Sequence, residues 1–504
     1  MKRVTIDPIT RLEGHGKIEI FLNDDGDVEN VYFQVPELRG FEKFCIGRPV
    51  EELARITTRI CGVCPEAHHM ASSKAADAVY HVDPPPAAKK LRELLYSAFY
   101  TTDHTTHFYI LGGPDFVMGP DASPAERNIL GVIAKVGAEI GLKVINLRKH
   151  CHEVIKMMGG RSIHPVSSIP GGFTKPLNAD ERNRVEEVAK EAVEFSKFTF
   201  QLFEDIVLKN SDYVSLITSD AYAHKTYNMG MVDENNCTNF YDGKIRITDP
   251  DGKEFAKFEA KDYQDHLEEH VEPYSYLKYP YLKNVGWKGM VDGKDSGVYK
   301  ATPLSRCNTA DSMATPLAQK EYEKMYETLG GKPIHATLAT HWARVVELMY
   351  SSERMLELVS DPDITRGTRK DSSKGIDKAL MKEIRTIPKE TPTEGVGVVE
   401  APRGTLYHHY VTDSNGIVTD VNLIVGTTNN NAAISMSLKK AAMGVIKKNG
   451  EITEGALNLV EMAFRAYDPC FACATHSLPG RMPLEVVVYD CEGKELSRKK
   501  RNQT

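Results

Sequence analysis

Two Cys-x-x-Cys motifs stand near opposite ends of this 504-residue chain. The first lies in RICGVCPEAHH, residues 59–69, and the second in DPCFACATH, residues 468–476; each is followed by histidine. Two thiolates two residues apart are half of a tetrahedral metal site, so the two motifs together predict one site with four thiolate ligands. The four candidate ligands are Cys61, Cys64, Cys470 and Cys473.

Other sites could also use this pattern. A structural zinc site has four such ligands, but zinc modules usually close over tens of residues because they must fold locally. A thioredoxin-like dithiol needs a short βαβ unit around one motif, and neither motif has one. The separation of the motifs therefore favours a metal buried at the centre of a large fold, with a structural zinc site as the alternative.

The composition is that of an ordinary globular protein. The chain is 41% hydrophobic and 26% charged, and its formal net charge of -7 argues against nucleic acid or an anionic membrane as partner. Nine cysteines are too few for a disulfide scaffold. The most apolar long stretch, residues 128–145, is interrupted by Lys135, Glu139 and Lys143, so no transmembrane helix is predicted. We expect the chain to be cytoplasmic, unless a partner carries an export signal.

The elements that must position these motifs are mostly helices. Helical texture with capping residues predicts an α+β protein in which a central bundle of long helices carries peripheral β-hairpins and sheets. Residues 17–35 predict a hairpin, residues 395–431 predict strands, and about 211–305 reads as an α+β insertion. Residues 1–476 are predicted to form one domain and 477–504 a C-terminal extension. Helices are predicted over 67–82, 84–113, 124–158, 179–208, 317–330, 336–360 and 452–466.

The sequence resembles the large, catalytic subunit of the nickel–iron hydrogenases. The two cysteine motifs match the signatures of that family, and three further blocks match as well: DPITRLEGHGKI, RGFEKFCIGRP and APRG. The resemblance runs from about residue 5 to residue 485. A related subunit of respiratory complex I lacks the four thiolates. The resemblance implies the large-subunit fold and an enzyme that reversibly cleaves H2 into protons and electrons.

The resemblance also assigns roles to the cysteines. It implies that all four bind nickel, with Cys61 and Cys470 as terminal ligands. Cys64 and Cys473 would bridge nickel to an iron that carries carbon monoxide and cyanide. H2 would split heterolytically, with a terminal thiolate, first of all Cys470, as the acceptor of the proton. Glu13 in RLEGH matches the glutamate that relays this proton.

Further residues are implied around the metals. Arg403 in APRG matches an arginine that overhangs them, with Asp103 and Asp468 as its carboxylate partners. Thr427 in VGTTNN matches a position that binds a cyanide, although this chain departs there from the commoner VPSTWN form. His68 lies one helical turn after Cys64 and is predicted to reach a bridging sulfur.

A second metal site is implied near the C-terminus. The family binds a hard cation, usually Mg²⁺, and its ligands match Glu42, the carbonyl of Leu423 and the imidazole of His476. Carboxylate and carbonyl oxygens suit Mg²⁺, whereas the histidine rests on the resemblance alone. In the family a maturation endopeptidase removes the extension that follows the matching histidine.

Partners are implied because the chain has no means of carrying electrons away. The remaining cysteines (45, 151, 237, 307 and 491) lack iron–sulfur spacing, so a small subunit with Fe–S clusters is expected. The motifs resemble cytoplasmic, multi-subunit enzymes. We favour a viologen-reducing type associated with heterodisulfide reductase, and next an NAD-reducing type with diaphorase-type subunits. A hydrogen-sensing subunit and a catalytically silent zinc protein of the same fold remain alternatives.

Overall fold

The computed structural model describes residues 2–365, 381–446 and 452–475, and the backbone of two strands in the extension. These residues form the helix-rich α+β fold that the sequence predicts. The helices are α1 Phe41–Cys45, α2 Val50–Ile56, α3 Pro65–Val79, α4 Pro86–Thr106, α5 Gly113–Val117, α6 Ile129–Val136, α7 Ala138–Gly159, α8 Ala179–Phe203, α9 Ser211–Thr218, α10 Tyr263–His266, α11 Pro303–Thr309, α12 Pro316–Thr328, α13 Thr340–Ser360, α14 Asn431–Val445, α15 Glu454–Arg465 and α16 Phe471–Ala474.

The strands lie in small sheets around the helices. In chain order they are β1 Lys2–Ile6, β2 Lys17–Leu22, β3 Val28–Gln34, β4 Ser168–Ile169, β5 Gly172–Phe173, β6 Tyr227–Val232, β7 Lys244–Thr248, β8 Glu254–Phe258, β9 Leu267–Val271, β10 Lys278–Leu282, β11 Tyr299–Lys300, β12 Glu394–Ala401, β13 Gly404–Thr412, β14 Val418–Ile424, β15 Glu485–Tyr489 and β16 Glu495–Lys500. Their orders are β1-β2-β3, β4-β5, β9-β10, β11-β6-β7-β8, β12-β13-β14 and β15-β16.

Four long helices form the centre of the molecule. Helix α13 packs against α4 and α8, and α7 packs against the same two helices. The start of α8 shows how the sequence sets these helices: Asn178 accepts from the amide of Glu181, and the Glu181 carboxylate accepts from the amide of Asn178. This capping box satisfies amide groups that the helix itself cannot. The main hydrophobic core lies between these helices and α3.

Several predicted elements need correction. The helix predicted over 124–158 is two helices, because Gly137 adopts a φ of +97° between α6 and α7. The helix predicted to end at 113 passes through a π-helical turn, His107–Gly112, directly into α5, and the helix predicted to end at 208 finishes in a π-helical turn, Glu204–Leu208. The strands predicted through residue 431 stop at Ile424, and the following α14 was not predicted.

The predicted insertion shares its core with another sheet. Its sheet β11-β6-β7-β8 packs its apolar side chains against Val398, Tyr407 and Ile424 of the sheet β12-β13-β14. In the extension, β15 and β16 pair as an antiparallel hairpin, and residues 490–494 between them lie outside the described residues. No helix in the described ranges has both the length and the apolar character needed to cross a membrane.

Helix α3 and strand β12 lie in direct contact, and this contact positions Arg403 relative to the first cysteine motif. Gly397 faces the backbone of α3, where a Cβ atom would overlap the carbonyl of Ala71 and the amide of Ala75. Helix α3 begins immediately after Cys64, and β12 ends immediately before the turn that contains Arg403. The close packing therefore holds Arg403 near the N-terminus of α3.

Candidate metal centre

The first Cys-x-x-Cys motif joins a short helical turn to the long helix α3. Cys61 follows the 3₁₀ turn Thr57–Ile60 in an extended conformation, and Cys64 is the N-cap residue of α3. The amide groups of Val63 and Cys64 donate to the Cys61 sulfur at 3.2 and 3.3 Å. Donors of this kind stabilise the thiolate form, which is the form that binds a metal.

All four sulfur atoms meet in one buried cluster. The distances are 3.3 Å from Cys61 to Cys470, 3.5 Å from Cys64 to Cys473 and 3.1 Å from Cys470 to Cys473. All four ligand atoms lie within 4.8 Å of one another. Four sulfurs at about 2.3 Å from one ion in a tetrahedron would be about 3.8 Å apart. The cluster therefore has the dimensions of a tetrathiolate metal site.

The thiols of the cluster differ in how readily they ionise. Hydrogen bonds from Cys470, Cys473 and Cys64, in that order, hold the pKa of Cys61 well below its ordinary value. Burial raises the pKa of Cys470 and of Cys473 well above the ordinary value. A bound cation stabilises the thiolate form of every ligand, so a cluster of this kind favours metal binding with release of protons.

Glu13 lies between β1 and β2 and touches the second cysteine motif. Its Oε2 accepts from the Cys470 thiol and from the amide of Ala472, both at 3.0 Å. The amide of Phe471 donates to the Glu13 carbonyl, also at 3.0 Å. Burial, and next the charge of Cys61, raise the pKa of Glu13. A carboxyl group with a raised pKa in contact with a thiol can exchange a proton with that thiol.

Arg403 is held between two buried carboxylates. Its Nη1 donates to Asp103 Oδ2 at 3.1 Å, and its Nη2 lies 2.8 Å from Asp468 Oδ2. Burial alone would lower the pKa of Arg403, but the charges of Asp103, Asp468, Cys470 and Cys64 raise it well above its ordinary value. The guanidinium therefore stays charged beside the sulfurs. Its Nε–H has no hydrogen-bond partner among the described residues, which leaves one donor for a ligand.

Thr427 connects the second cysteine motif to the turn after β14. Its hydroxyl oxygen accepts from the amide of Cys470 at 3.0 Å, so its hydroxyl hydrogen is still available to an acceptor. Asn429 stands where the commoner family form has tryptophan. The Tyr299 hydroxyl donates to Asn429 at 2.6 Å, and Asn429 donates to the Thr405 carbonyl at 2.6 Å. Asn429 thereby braces the turn against β11 and β13.

His68 belongs to a buried row of hydrogen bonds that the sequence analysis did not find. Its Nδ1 lies 3.1 Å from His408 Nε2, and His408 Nδ1 lies 2.6 Å from the Tyr410 hydroxyl. Tyr410 donates to Ser72 at 2.8 Å. His408 and Tyr410 are two residues apart on β13, and side chains two apart lie on the same face of a strand. Their spacing in LYHHY was therefore the available signal.

The predicted ligands of the second metal lie close together as far as they are described. The Glu42 carboxylate on α1 accepts from the Leu423 amide at 2.9 Å and lies 3.8 Å from Lys278 Nζ. Lys278 also binds Glu269 at 3.0 Å, and the other oxygen of Glu269 is buried without a partner among the described residues. Two neighbouring carboxylates suit a hard cation. His476 lies outside the described residues.

Four buried polar residues near the cluster escaped the sequence analysis. Glu66, two residues after Cys64, is 2% exposed, and burial raises its pKa to about 8, so it is largely protonated at neutral pH. Arg306, Arg344 and Asn430 donate to carbonyl groups in the turn that contains Arg403. Glu66 lies inside the first cysteine motif and Asn430 inside VGTTNN, whereas no motif marks Arg306 or Arg344. The one available signal was a charged residue within an apolar helical stretch, such as Arg344 in HWARVVELMY.

Comparisons with known proteins agree with this geometry. The family described as nickel-dependent hydrogenase matches residues 39–136 and 136–476, and a family described as HoxL-like matches residues 3–38. An iron-sulfur subunit of the F420-non-reducing hydrogenase of Archaeoglobus profundus is 49% identical over 502 residues, which is 100% of each chain. The beta subunit of the NAD-reducing hydrogenase HoxS of Cupriavidus necator is 38% identical, covering 99% of this chain and 100% of its own. A crystal structure of an NAD⁺-reducing [NiFe]-hydrogenase in the H2-reduced state superposes with a TM-score of 0.83 at 34% identity, covering 94% of this chain and 100% of that one.

Proposed function

This chain belongs to the nickel-dependent hydrogenase family and is the catalytic large subunit of a nickel–iron hydrogenase, and from that premise we propose how its residues divide the work of splitting H2. The four converging sulfurs carry the proposal, since all lie within 4.8 Å of one another. Cys61 and Cys470 would hold nickel as terminal ligands. Cys64 and Cys473 would also hold an iron that carries carbon monoxide and cyanide.

The thiolate cluster suits this centre chemically. Soft thiolates favour nickel over hard cations, and the buried position excludes water from the reacting atoms. When bound, the nickel–iron centre supplies a redox-active position that polarises H2. The protein supplies the base, the fixed charges and the path for the proton.

Cys470 and Glu13 move the proton. The Cys470 sulfur is the first acceptor, and Glu13 Oε2, 3.0 Å away, is the second. The Ala472 amide holds that oxygen in place. Because burial raises the pKa of Glu13, its carboxylate holds a proton more tightly than that of a solvent-exposed glutamate, which favours its role as a relay.

Arg403 and Thr427 orient the diatomic ligands. The free Nε–H donor of Arg403 and the hydroxyl hydrogen of Thr427 are the groups that would donate to cyanide. Asp103 and Asp468 fix the guanidinium, and its planar fork matches the two carboxylates. His68 lies one turn beyond Cys64, where its hydrogen-bonded imidazole supports the bridging side of the cluster.

Glu42, the Leu423 carbonyl and His476 would hold a structural Mg²⁺. The Glu269 oxygen that lacks a partner among the described residues supports this role, because water bound to Mg²⁺ would donate to it.

We treat residues 1–476 as one domain with an insertion at about 211–305, and the shared core of that insertion supports this division. The maturation endopeptidase removes residues 477–504 after metal insertion.

Electrons leave through a small subunit with Fe–S clusters. Within the described ranges, no second group of cysteines could hold a cluster. A cavity of about 810 Å³ opens beside Cys61, lined by Arg39, Gly40, Phe41, Phe44, Arg55, Ile56, Arg59 and Arg161. Arg39 donates to the carbonyl of Ile60 at 2.6 Å and so fixes the residue before the first cysteine. We assign the small subunit to this face.

The next acceptor is a cytoplasmic heterodisulfide-reductase type of partner, with diaphorase-type subunits as the second choice. The 49% identity to a subunit of an F420-non-reducing enzyme, compared with 38% to a subunit of an NAD-reducing enzyme, supports placing the NAD-reducing type second. The carriers themselves bind other chains, so purification of the complex identifies them.

The test is an infrared spectrum of the protein purified with its partner subunits. We expect absorption in the metal carbonyl and cyanide window, with nickel and iron in the metal analysis. A blank window in protein whose extension has been removed, together with zinc in the metal analysis, would contradict the assignment of the centre.

A further inference from the structure

Arg403 stands in the turn of a hairpin that is buried. Ala401 pairs with Gly404, so Pro402 and Arg403 alone make the turn between β12 and β13. The tip of a β-hairpin usually lies in water, which binds its carbonyl groups. Here residues 400–404 are all buried, so their carbonyl groups need donors from the protein.

Three side chains supply those donors. Arg306 donates to the carbonyls of Ala401 at 3.0 Å and Pro402 at 3.1 Å. Arg344 on α13 donates to Pro402 at 3.3 Å. Asn430 donates to the carbonyl of Arg403 itself at 2.7 Å.

Arg344 alone of these three also reaches the segment that carries Asp468. Its Nη2 donates to the carbonyl of Ala466 at 3.1 Å, directly after α15. Asp468, two residues on, has a φ of +53°, a strained conformation for this residue that its surroundings must hold. One planar guanidinium thus joins the turn of Arg403 to the turn of its carboxylate partner.

Stability alone does not account for Arg344. The side chain is fully buried, its Nε has no partner within the described part of the chain, and its ion pair with Asp468 is long at 3.9 Å. A buried charge without a close partner costs several kcal/mol, and an apolar side chain of the same size usually stabilises more. Arg306 differs, because Glu347 binds it at 2.6 and 2.7 Å and Glu400 at 3.2 Å.

We propose that Arg344 is a positioning residue that sets the place of the Arg403 guanidinium over the metal cluster by tying the Pro402 and Ala466 carbonyls together. The inference rests on the proposed function, in which Arg403 donates to a cyanide. It requires the forked geometry of the side chain and not only its charge, because a lysine ammonium is a compact donor that cannot span the two carbonyls in the same way.

The experiment compares Arg344→Lys and Arg344→Gln in the complete complex. The matched control is Arg354→Lys on the same helix, since Arg354 binds Glu93 nearer the surface at 2.7 Å. We expect both Arg344 variants to keep nickel and iron, to shift the cyanide bands and to lose about tenfold or more in kcat for H2 oxidation. Deuterium exchange in peptides covering residues 399–407 and 464–470 should be faster in both. The lysine variant should not recover the wild-type cyanide bands, kcat or exchange rates. The Arg354→Lys control should match the wild type in all three.

Other results would overturn the proposal. Wild-type cyanide bands and wild-type exchange in both variants would mean that Arg344 only fills the core. Rescue by lysine would mean that charge alone matters, and failure of both variants to fold while the control folds would make the role one of stability. If the wild type itself shows no carbonyl or cyanide bands, the proposed function fails. The exchange rates of the two segments would then still decide the role of Arg344.

Discussion

The contact between Glu13 and Cys470 is the proposed route for a proton from the sulfur cluster. Substitution Glu13→Gln keeps the size of the side chain and an oxygen for the Ala472 amide, but removes the acid–base function. We expect isotope exchange between H2 and D2O to fall by about 100-fold or more, because proton transfer by a positioned group contributes that much. The carbonyl and cyanide bands should stay at wild-type intensity, since Glu13 is not a metal ligand.

A second carboxylate provides the control for that exchange measurement. Glu19 lies on β2, where it forms ion pairs with Lys17 at 2.9 Å and Arg3 at 3.4 Å. Glu19→Gln should exchange at the wild-type rate. Wild-type exchange in Glu13→Gln would mean that the proton leaves the cluster by another path.

At the scale of residues, the sequence predicts what lies in motifs and little else. The cysteines, Glu13, Arg403 and Thr427 stand at fixed places in short blocks, and the structure brings them together. Arg344 and His408 could not be found this way, because their contacts depend on the packing of α13 and β13 against distant segments. The spacing of residues along the chain does not predict contacts between segments that are distant in sequence.

At the scale of elements, the contact between α3 and β12 determines the position of Arg403 relative to Cys64. Gly397→Ala should push the two elements apart, because its Cβ would overlap the backbone of α3 at Ala71 and Ala75. We expect destabilisation of about 1–3 kcal/mol. Arg403 would also move relative to Cys64, so the specific activity per bound nickel should fall. Thermal unfolding and activity normalised to nickel measure the two effects.

An exposed position on the same sheet separates this effect from a general weakening of the sheet. Asp420 lies on β14 with its side chain in solvent. Asp420→Ala should leave both quantities unchanged. Equal activity per nickel in Gly397→Ala and the wild type would show that the contact between α3 and β12 does not position Arg403.

Elements were predictable where caps and periodicity agree. The start of α8 follows from Asn178 and Glu181, which form the capping box of its first turn. The break at Gly137 was missed, because a glycine in an apolar stretch is compatible with a continuous helix until its φ of +97° is seen. Helix α14 was missed because its start at Asn431 follows a turn rich in asparagine, which reads as the end of a strand region.

At the scale of the whole molecule, buried Lys300 makes stability depend on pH. Its Nζ donates to the His224 carbonyl at 3.1 Å, and burial lowers its pKa to about 7, opposed by Asp292 and supported by Lys440. Between pH 7 and the unfolded pKa near 10.4 the unfolded chain holds more protons, so this group makes stability rise with pH there. Below pH 7 Lys300 is charged in the folded protein, and the full free-energy cost of burying that charge is present.

Lys300→Met should therefore raise the melting temperature most at pH 6. The variant's excess in free energy of unfolding over the wild type should shrink by about 2–4 kcal/mol as the pH approaches 10. At that pH the wild type no longer has to bury a charged Lys300. Lys225→Met, at an exposed neighbouring position, should show no such trend. A constant difference between Lys300→Met and the wild type across this range would mean that Lys300 is charged in the folded protein.

The arrangement of the whole molecule leaves an arginine-rich, aromatic face beside Cys61, and this face is where the small subunit should bind. Phe44 there is 55% exposed, and its ring centroid lies 6.2 Å from that of Phe41, so the two rings form an apolar patch on the wall of the cavity. Phe44→Glu should weaken the complex by about 2 kcal/mol or more, since aromatic residues at the centre of an interface carry much of its binding energy. Phe255→Glu is the control, because Phe255 is 39% exposed on β8, in the predicted insertion. We expect the tagged Phe44→Glu protein to purify with less Fe–S absorbance per large subunit than the wild type or the control. Equal absorbance in all three would move the small subunit to another face of the chain.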